Sequence, residues 1–262
     1  MLALLSPAKK LDDRPVALDL APTQPALMGD TLELMQTTRT LGVDDLKSLM
    51  HLSDKLATLN HERFQAWQET HDPDNALPAA LTFAGDVYQG LDARSLSEDD
   101  LAWAQDHVAI LSGLYGVLRP LDLIQPYRLE MGTRLPTDRG GSLYDFWGAT
   151  LAPILEERLA DHREKVFVNL ASNEYFGAVD VKRLDHPVLD VRFVDRKDGK
   201  SRVISFYAKR ARGALARWMV EQRADRVEAL KDAVIDDYRF DPEESTEWSW
   251  TFGRKQPPPK GR

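Results

Sequence analysis

An apolar stretch from Ala109 to Arg134 is interrupted by glycines and prolines, and this constrains the fold more than any other feature of the chain. The spacing predicts that the stretch begins as the end of a helix, which stops at Gly113. Pro120 and Pro126 exclude a continuous helix beyond that point, because proline lacks an N–H group and clashes with the preceding turn. The stretch is therefore predicted to fold into packed turns.

Three arginines lie at turn positions of this stretch: Arg119, Arg128 and Arg134. Cationic side chains on turns that proline holds in one conformation are suited to contacting phosphate groups. The alternative is a buried connector whose arginines pair with nearby acids. Within the stretch, Leu111 to Val117 resembles the turn of a helix-hairpin-helix motif, in which backbone N–H groups bind a phosphate. Tyr115 and Leu118 depart from that motif.

A second cationic segment, Ser201 to Val220, contains basic residues and no acid. If the segment from Ala208 is helical, at roughly 100° per residue, its cations lie opposite or beside the apolar face. Gly213 falls among them, and a missing side chain lets a phosphate approach the backbone closely. This pattern favours a phosphate-binding surface over a solvated face that pairs with the acidic segment Asp232 to Glu247. The cations are Lys209, Arg210, Arg212 and Arg217.

The hydrophobic pattern predicts an α/β fold, a mixed α+β arrangement in one domain with a mixed sheet and peripheral helices. Continuous apolar runs predict buried strands at Leu2 to Leu5 and Val166 to Leu170. Alternation from Leu189 to Phe193, followed by a turn and Val203 to Tyr207, predicts a β-hairpin. The glycine-bracketed run Ala84 to Leu91 suits a strand that places Asp86 and Tyr88 on one side.

Helix starts are predicted at Asp30, Ser97 and Ser142, since these residue types accept hydrogen bonds from free N–H groups of the first turn. The domain is expected to span residues 1–253. Residues 254–262, which contain three consecutive prolines, are expected to form a disordered basic tail.

Polar residues follow the predicted strands, and ligands of open α/β sheets bind beyond the carboxyl ends of strands. A carboxylate near a lysine can perform general acid–base chemistry, while arginine and tyrosine can hold a nucleotide or a flipped base. Lys9 is otherwise a solvated loop lysine. The candidate catalytic residues are Lys9, Asp86, Glu130 and Glu174.

Several function classes are excluded or disfavoured. The chain has no cysteine, which removes disulfides, thiol catalysis and cysteine-bound metals. Six histidines occur at no ligand spacing, so we expect no metal site and no cofactor. The common nucleotide, hydrolase and zinc motifs are absent. There is no apolar run of about 18 residues and no signal peptide, so a cytoplasmic protein is expected.

Several motifs resemble, in the same order, those of the YaaA peroxide-stress family of bacteria. The resemblance runs from the first residue to about Gly213, and the acidic segment after about Val220 matches poorly. The motifs are Ser6-Pro-Ala-Lys9, Ser53-Asp-Lys-Leu-Ala57, Gly85-Asp-Val-Tyr-Gln-Gly90, Leu111 to Gly132, Phe146-Trp147, Asn169-Leu-Ala-Ser172 and Phe206-Tyr-Ala-Lys-Arg-Ala-Arg-Gly213.

The resemblance implies a single-domain cytoplasmic protein of unusual α/β fold that binds DNA and limits free iron and damage during peroxide stress. Because the net charge is −8, binding to duplex or distorted DNA must be local, and we expect it without strong sequence specificity and by a monomer. The alternative is a nucleotide- or nucleoside-processing enzyme that uses Lys9, Glu130 and Glu174. The predicted DNA contacts are Lys9, Lys10, Lys55, Arg119, Arg128, Arg134, Lys209, Arg210, Arg212 and Arg217.

Overall fold

The apolar strand at the start of the chain, β1 (Leu2–Leu5), lies inside a sheet with parallel neighbours on both sides. The computed structural model describes residues 1–16 and 19–257. All four residues of β1 are fully buried. A strand covered on both faces needs a continuous apolar run, which is why the sequence signal was clear here.

Within residues 1–16 and 19–257, eight strands form one mixed sheet in the order β4-β3-β1-β6-β7-β10-β9, with β8 paired to β7. The central five strands are parallel, and β4, β8 and β9 pair antiparallel. β2 and β5 form a separate ladder. The other strands of the described residues are β2 (Leu77–Pro78), β3 (Val108–Ser112), β4 (Gly116–Leu118), β5 (Leu123–Ile124), β6 (Phe167–Asn169), β7 (Val188–Lys197), β8 (Lys200–Arg202), β9 (Arg239–Thr246) and β10 (Ser249–Lys255).

Helices surround this sheet, and one hydrophobic core joins the two kinds of element. The predicted single-domain mixed α/β fold is therefore confirmed. The α-helices of the described residues are α1 (Met28–Arg39), α2 (Val43–Met50), α3 (Asp54–Ala66), α4 (Ala79–Thr82), α5 (Asp86–Leu91), α6 (Glu98–His107), α7 (Leu143–Trp147), α8 (Leu151–Leu159), α9 (Asn173–Phe176) and α10 (Ser205–Glu221).

The predicted helix starts at Ser97 and Ser142 are confirmed. Ser97 accepts a hydrogen bond from the Asp100 N–H at 3.1 Å, and Ser142 accepts one from the Asp145 N–H at 3.3 Å. Asp30 instead lies inside α1, which begins at Met28.

The central stretch begins as a strand, and the prediction of a helix end there is wrong. Helix α6 ends at His107, and β3 and β4 form a buried β-hairpin in which Ser112 pairs with Gly116. Gly116 supplies the positive φ of 69° that this turn requires. The predicted helix-hairpin-helix turn is therefore also wrong. An apolar run of this length fits a buried strand as well as a buried helix.

Asp86–Leu91 is the helix α5, so the predicted strand at Ala84 to Leu91 is wrong. Helix α10 packs directly on α5. A Cβ atom at Gly213 would overlap the Val87 carbonyl, and one at Gly90 would overlap the Arg210 carbonyl. Gly213 thus allows close helix packing, and it is buried away from the surface where a phosphate was expected to approach.

Two boundaries near the end of the chain also differ from expectation. The hairpin returns over Lys200–Arg202, and α10 begins at Ser205, so a strand from Val203 to Tyr207 is wrong. Arg254 and Lys255 belong to β10, and the Arg254 Nε donates to Asp195 Oδ1 at 2.8 Å. The expected tail therefore cannot start at Arg254, and its residues 258–262 lie outside the described residues.

Candidate functional site

A cavity of about 620 Å³ opens where β1 and β6 end side by side. After β1 the chain returns to the sheet as β3 on one side, whereas after β6 it returns as β7 on the other. Such a divergence of connections opens a crevice at the carboxyl ends of parallel strands, where ligands bind in open α/β sheets. We call this space the switch-point cavity.

Four segments distant in the sequence line the switch-point cavity. The loop after β1 and the start of α9 come from the strand ends, while α5 and α10 form the facing wall. The lining includes the predicted residues Lys9, Lys10, Asp86, Glu174, Lys209 and Arg212. Cations and carboxylates are mixed in it, so a uniformly basic cleft is not what the fold forms.

Hydrogen bonds between the ends of β1 and β6 build one side of the cavity. The Ser172 N–H donates to Ser6 Oγ at 2.8 Å, and the two serine hydroxyls are 3.3 Å apart. The Tyr88 hydroxyl donates to the Ser6 carbonyl at 3.1 Å, and burial raises the pKa of Tyr88 well above its ordinary value. These bonds fix the strand ends relative to α5 before any ligand arrives.

Lys9, Arg128 and Glu130 form an ion-pair cluster beside this cavity. The Lys9 Nζ lies 2.5 Å from Glu130 Oε2, and the Arg128 Nη2 lies 2.9 Å from Glu130 Oε1. Burial raises the pKa of Glu130, but the hydrogen bonds from Lys9 and Arg128 outweigh it and leave that pKa below its ordinary value. Glu130 is therefore held as a carboxylate, which suits proton acceptance rather than donation.

The two remaining candidate carboxylates differ in their contacts. Glu174 Oε1 accepts a hydrogen bond from the Gly132 N–H at 3.1 Å, which ties α9 to the loop that carries Arg134. Arg134, Glu130 and Glu174 line a neighbouring cavity of about 420 Å³. Asp86 makes no side-chain hydrogen bond or ion pair to any part of the chain that the structure describes.

Two of the four predicted cations of α10, Lys209 and Arg212, reach the switch-point cavity. Lys209 is exposed, whereas Arg212 is partly buried and its Nε has no hydrogen-bond partner. Burial also lowers the pKa of Arg212. Within residues 1–16 and 19–257, no acidic side chain forms an ion pair with either residue.

The other two cations of α10 already have partners. Arg210 lies 3.3 Å from an Asp236 carboxylate oxygen, the pairing with the acidic segment that was the alternative interpretation. Arg217 donates to the carbonyls of Leu91 and Asp92 and pairs with Glu221 at 2.7 Å. Arg217 thus caps the end of α5, and the predicted cluster of four free cations is reduced to two.

Arg119 and Lys55 do not line the switch-point cavity. The Arg119 guanidinium pairs with the buried carboxylate of Asp122 at 3.1 Å and lines a different cavity, next to His162. Lys55 lies on α3. Conversely, Asn173 and Tyr175 line the site without having been singled out. The one sequence signal for them was their position in the loop that follows β6.

The described residues contain neither a metal-binding cluster nor a membrane-spanning helix. No group of three or more histidine, aspartate or glutamate side chains is arranged to hold a metal ion. In the same residues, no helix has both the length and the apolar character required to cross a membrane.

Comparison with known proteins identifies relatives over nearly the whole chain. The profile of the family described as "Peroxide stress protein YaaA" matches residues 1–244. A UPF0246 protein of Phenylobacterium zucineum is 54% identical over 259 residues, 99% of this chain and 97% of that protein. A UPF0246 protein of Caulobacter vibrioides is 52% identical over 98% of this chain and 100% of its own length. The chain, with its strand-end cavity, therefore belongs to the YaaA family of peroxide stress proteins.

Proposed function

We propose that this protein binds DNA during peroxide stress and contacts the phosphate backbone through cations around the switch-point cavity. The observation that carries the proposal is the meeting of Lys10, Lys209 and Arg212 at one cavity. They come from the loop after β1 and from α10, and no acid pairs with them in the described residues. Phosphate contacts of this kind give affinity and orientation without reading the base sequence.

Charge limits how strong this binding is. The net charge of −8 repels a polyanion at long range, and Asp86 and Glu174 lie in the same cavity as the cations. Binding is therefore local, moderate and sensitive to salt. Each contacted phosphate releases counterions, which gives a slope of roughly −0.9 per contact in a log–log plot of duplex affinity against salt.

The test is fluorescence anisotropy of labelled duplex and bubble DNA at several salt concentrations. The double variant Lys10→Ala, Lys209→Ala is expected to weaken binding to all sequences and to flatten the salt slope by about 2. The matched control is Arg163→Ala, Lys165→Ala. It removes the same number of charges but lies just before β6, at the amino end of that strand, whereas the cavity lies at its carboxyl end. Absence of binding at low salt, or an equal loss in the control, would refute the proposal.

A second function is favoured by the Lys9–Glu130 pair and the cavity size. A volume of about 620 Å³ lies within the range of roughly 300–1,000 Å³ common for small-molecule sites. In a nucleotide- or nucleoside-processing enzyme, the Glu130 carboxylate would accept a proton and the Lys9 ammonium would supply one. Soaking crystals with a panel of nucleotides tests this. Empty density throughout, together with tight duplex binding, would eliminate the enzyme.

The proposal extends to cellular physiology, where it rests on the family. Deleting the gene is expected to increase DNA damage under peroxide, and an iron chelator is expected to suppress that increase. We propose that iron levels are limited without stoichiometric binding, and metal analysis of the purified protein checks this. Equal survival of the deletion and parent strains would remove the stress role from the proposal.

A further inference from the structure

Unlike Arg158 and Arg254, the partly buried Arg212 has no hydrogen-bond or ion-pair partner for its guanidinium within the described residues. Arg158, which is also buried, donates to the carbonyls of Gln105 and Val108 at 3.1 and 2.9 Å. Arg254 pairs with Asp195. In the described chain, the Arg212 Nε is buried without a hydrogen bond. A guanidinium that is partly withdrawn from water and has no protein partner is available to bind an anion from solution.

The position of Arg212 suggests which kind of anion. It lies one helical turn after Lys209 on α10, and both residues line the switch-point cavity. An arginine presents a planar fork of donors, which matches phosphate oxygens, and a lysine adds a mobile positive charge. Together they suit a phosphate group better than a single carboxylate.

A second polar group lies on the same wall of the cavity. Asp86, at the start of α5, has a carboxylate without a hydrogen-bond partner among the described residues. An aspartate near a phosphate site commonly accepts hydrogen bonds from sugar hydroxyls, as in dinucleotide-binding sheets. Because α5 packs on α10 through Gly90 and Gly213, the separation of Asp86 from Arg212 is fixed by backbone contact.

The other lining residues and the volume of the cavity limit the kind of ligand that it can hold. Pro7, Val87 and Tyr175 provide apolar surface for a base. A duplex, whose major groove alone is about 12 Å wide, does not fit inside about 620 Å³. A single nucleotide does, either free or swung out of a strand.

We infer that the switch-point cavity binds one nucleotide unit, with its phosphate at Arg212 and Lys209, its sugar hydroxyls at Asp86 and its base against the apolar wall. The inference rests on the proposed function, since it names the component of nucleic acid that enters the same site. The inference adds a specific site for one nucleoside monophosphate to a surface that is otherwise proposed to contact only the phosphate backbone of DNA.

The test is isothermal titration calorimetry of the full chain with the nucleoside 5′-monophosphates, the matching nucleosides and inorganic phosphate. Monophosphates are expected to bind at least tenfold more tightly than nucleosides. Arg212→Met keeps the length of the aliphatic stem and removes the charge, so it is expected to lose that tenfold advantage.

Two further variants keep the test valid if Arg212→Met misfolds. Lys209→Gln changes an exposed residue and is expected to weaken the binding of monophosphates but not of nucleosides. Asp86→Asn is expected to weaken monophosphates and nucleosides alike. If no monophosphate binds, or if Arg212→Met binds as the parent does, the inference is overturned.

The source of the nucleotide is resolved with bubble DNA that carries 2-aminopurine at an unpaired position. If the nucleotide comes from a strand, fluorescence changes on binding and a free monophosphate reverses the change. If free nucleotides are the ligand, monophosphates bind in calorimetry and the DNA signal does not respond to them. If monophosphates bind but DNA does not, the proposed function is refuted and the inference stands. If DNA binds but monophosphates give no calorimetric signal and the fluorescence does not change, the inference is refuted and the proposed function stands.

Discussion

The ammonium group of Lys9 lies 2.5 Å from the carboxylate of Glu130, and this ion pair joins the loop after β1 to the segment after β5. The Lys9 side chain is 59% exposed and that of Glu130 is 22% exposed. The pair thus occupies the rim of the switch-point cavity. It neutralises a lysine that would otherwise be available to an anion.

Glu130→Gln is expected to strengthen duplex binding several-fold, because it frees Lys9 and removes a negative charge. The salt slope should steepen by about 1 if Lys9 then contacts a phosphate. The Tm should fall modestly, since Glu130 and its second partner Arg128 are only 22% and 17% exposed and Arg128 loses its carboxylate. Anisotropy and thermal melts measure both. The control is Glu62→Gln, an exposed residue of α3; an equal gain in that variant would contradict the prediction.

Gly213→Ala is expected to destabilise the protein, although alanine normally favours helices over glycine. The new Cβ would overlap the Val87 carbonyl, and overpacking typically costs about 1–3 kcal/mol. Gly29→Ala in α1 is the matched control. Its Cβ would meet nothing within 4 Å, so a gain of about 0.4–1 kcal/mol is expected. Urea unfolding measures both, and a stabilised Gly213→Ala variant would show that the α5–α10 contact is loose.

Arg254→Ala is expected to destabilise the protein by about 3–5 kcal/mol, because it leaves the buried Asp195 carboxylate without its ionic partner. The Asp195 side chain is 0% exposed and also accepts a hydrogen bond from the Tyr238 hydroxyl at 2.7 Å. A chain that ends after Pro257 keeps β10 and should unfold at the parent temperature. If Arg254→Ala is as stable as the parent, Arg254 makes no stabilising contact and belongs to the tail.

The Tm is expected to fall as the pH is lowered from 7 toward 4, in part because of His162. Burial lowers the pKa of His162 to about 4 in the folded protein, below its ordinary value of about 6.5 in an unfolded chain. The unfolded state therefore binds more protons in this window, so stability is present above about pH 6.5 and is lost as the pH falls toward 4.

His162→Gln should flatten that pH dependence relative to the parent. The control is His51→Asn, since His51 is exposed and has a φ of 52°, which asparagine tolerates. Differential scanning calorimetry across the pH range compares the three proteins. Parallel curves for the parent and His162→Gln would show that the protonation of His162 is not linked to folding.

Features encoded by neighbouring residues were predictable from the sequence. The strand β1 follows from four buried apolar residues in a row, and the helix start at Ser97 follows from its side-chain bond to the Asp100 N–H. The helix α5 was not predictable. Its six residues are too few for a helical period to emerge, and it packs against α10, which is distant in the sequence.

The candidate site was predictable in its location but not in its charge balance. The rule that ligands lie beyond the carboxyl ends of parallel strands brought Lys9 and Glu174 to one region, and both line the cavity. Asp86 reaches it from the helix α5, where a strand was predicted. The partners of Arg217 include backbone carbonyls at the end of α5. No pattern within a cationic segment reveals a partner of that kind, so free and engaged cations looked alike in the sequence.

The glycine contact between α5 and α10 also determines how the switch-point cavity responds to an occupant. With glycine on each helix at the crossing, backbone meets backbone and no layer of side chains is available to rearrange. The spacing of these two helices therefore cannot change with the width of a ligand. Adjustment to an occupant is left to exposed side chains such as Lys209 and to the opposite side of the cavity, where Lys9 and Lys10 are exposed.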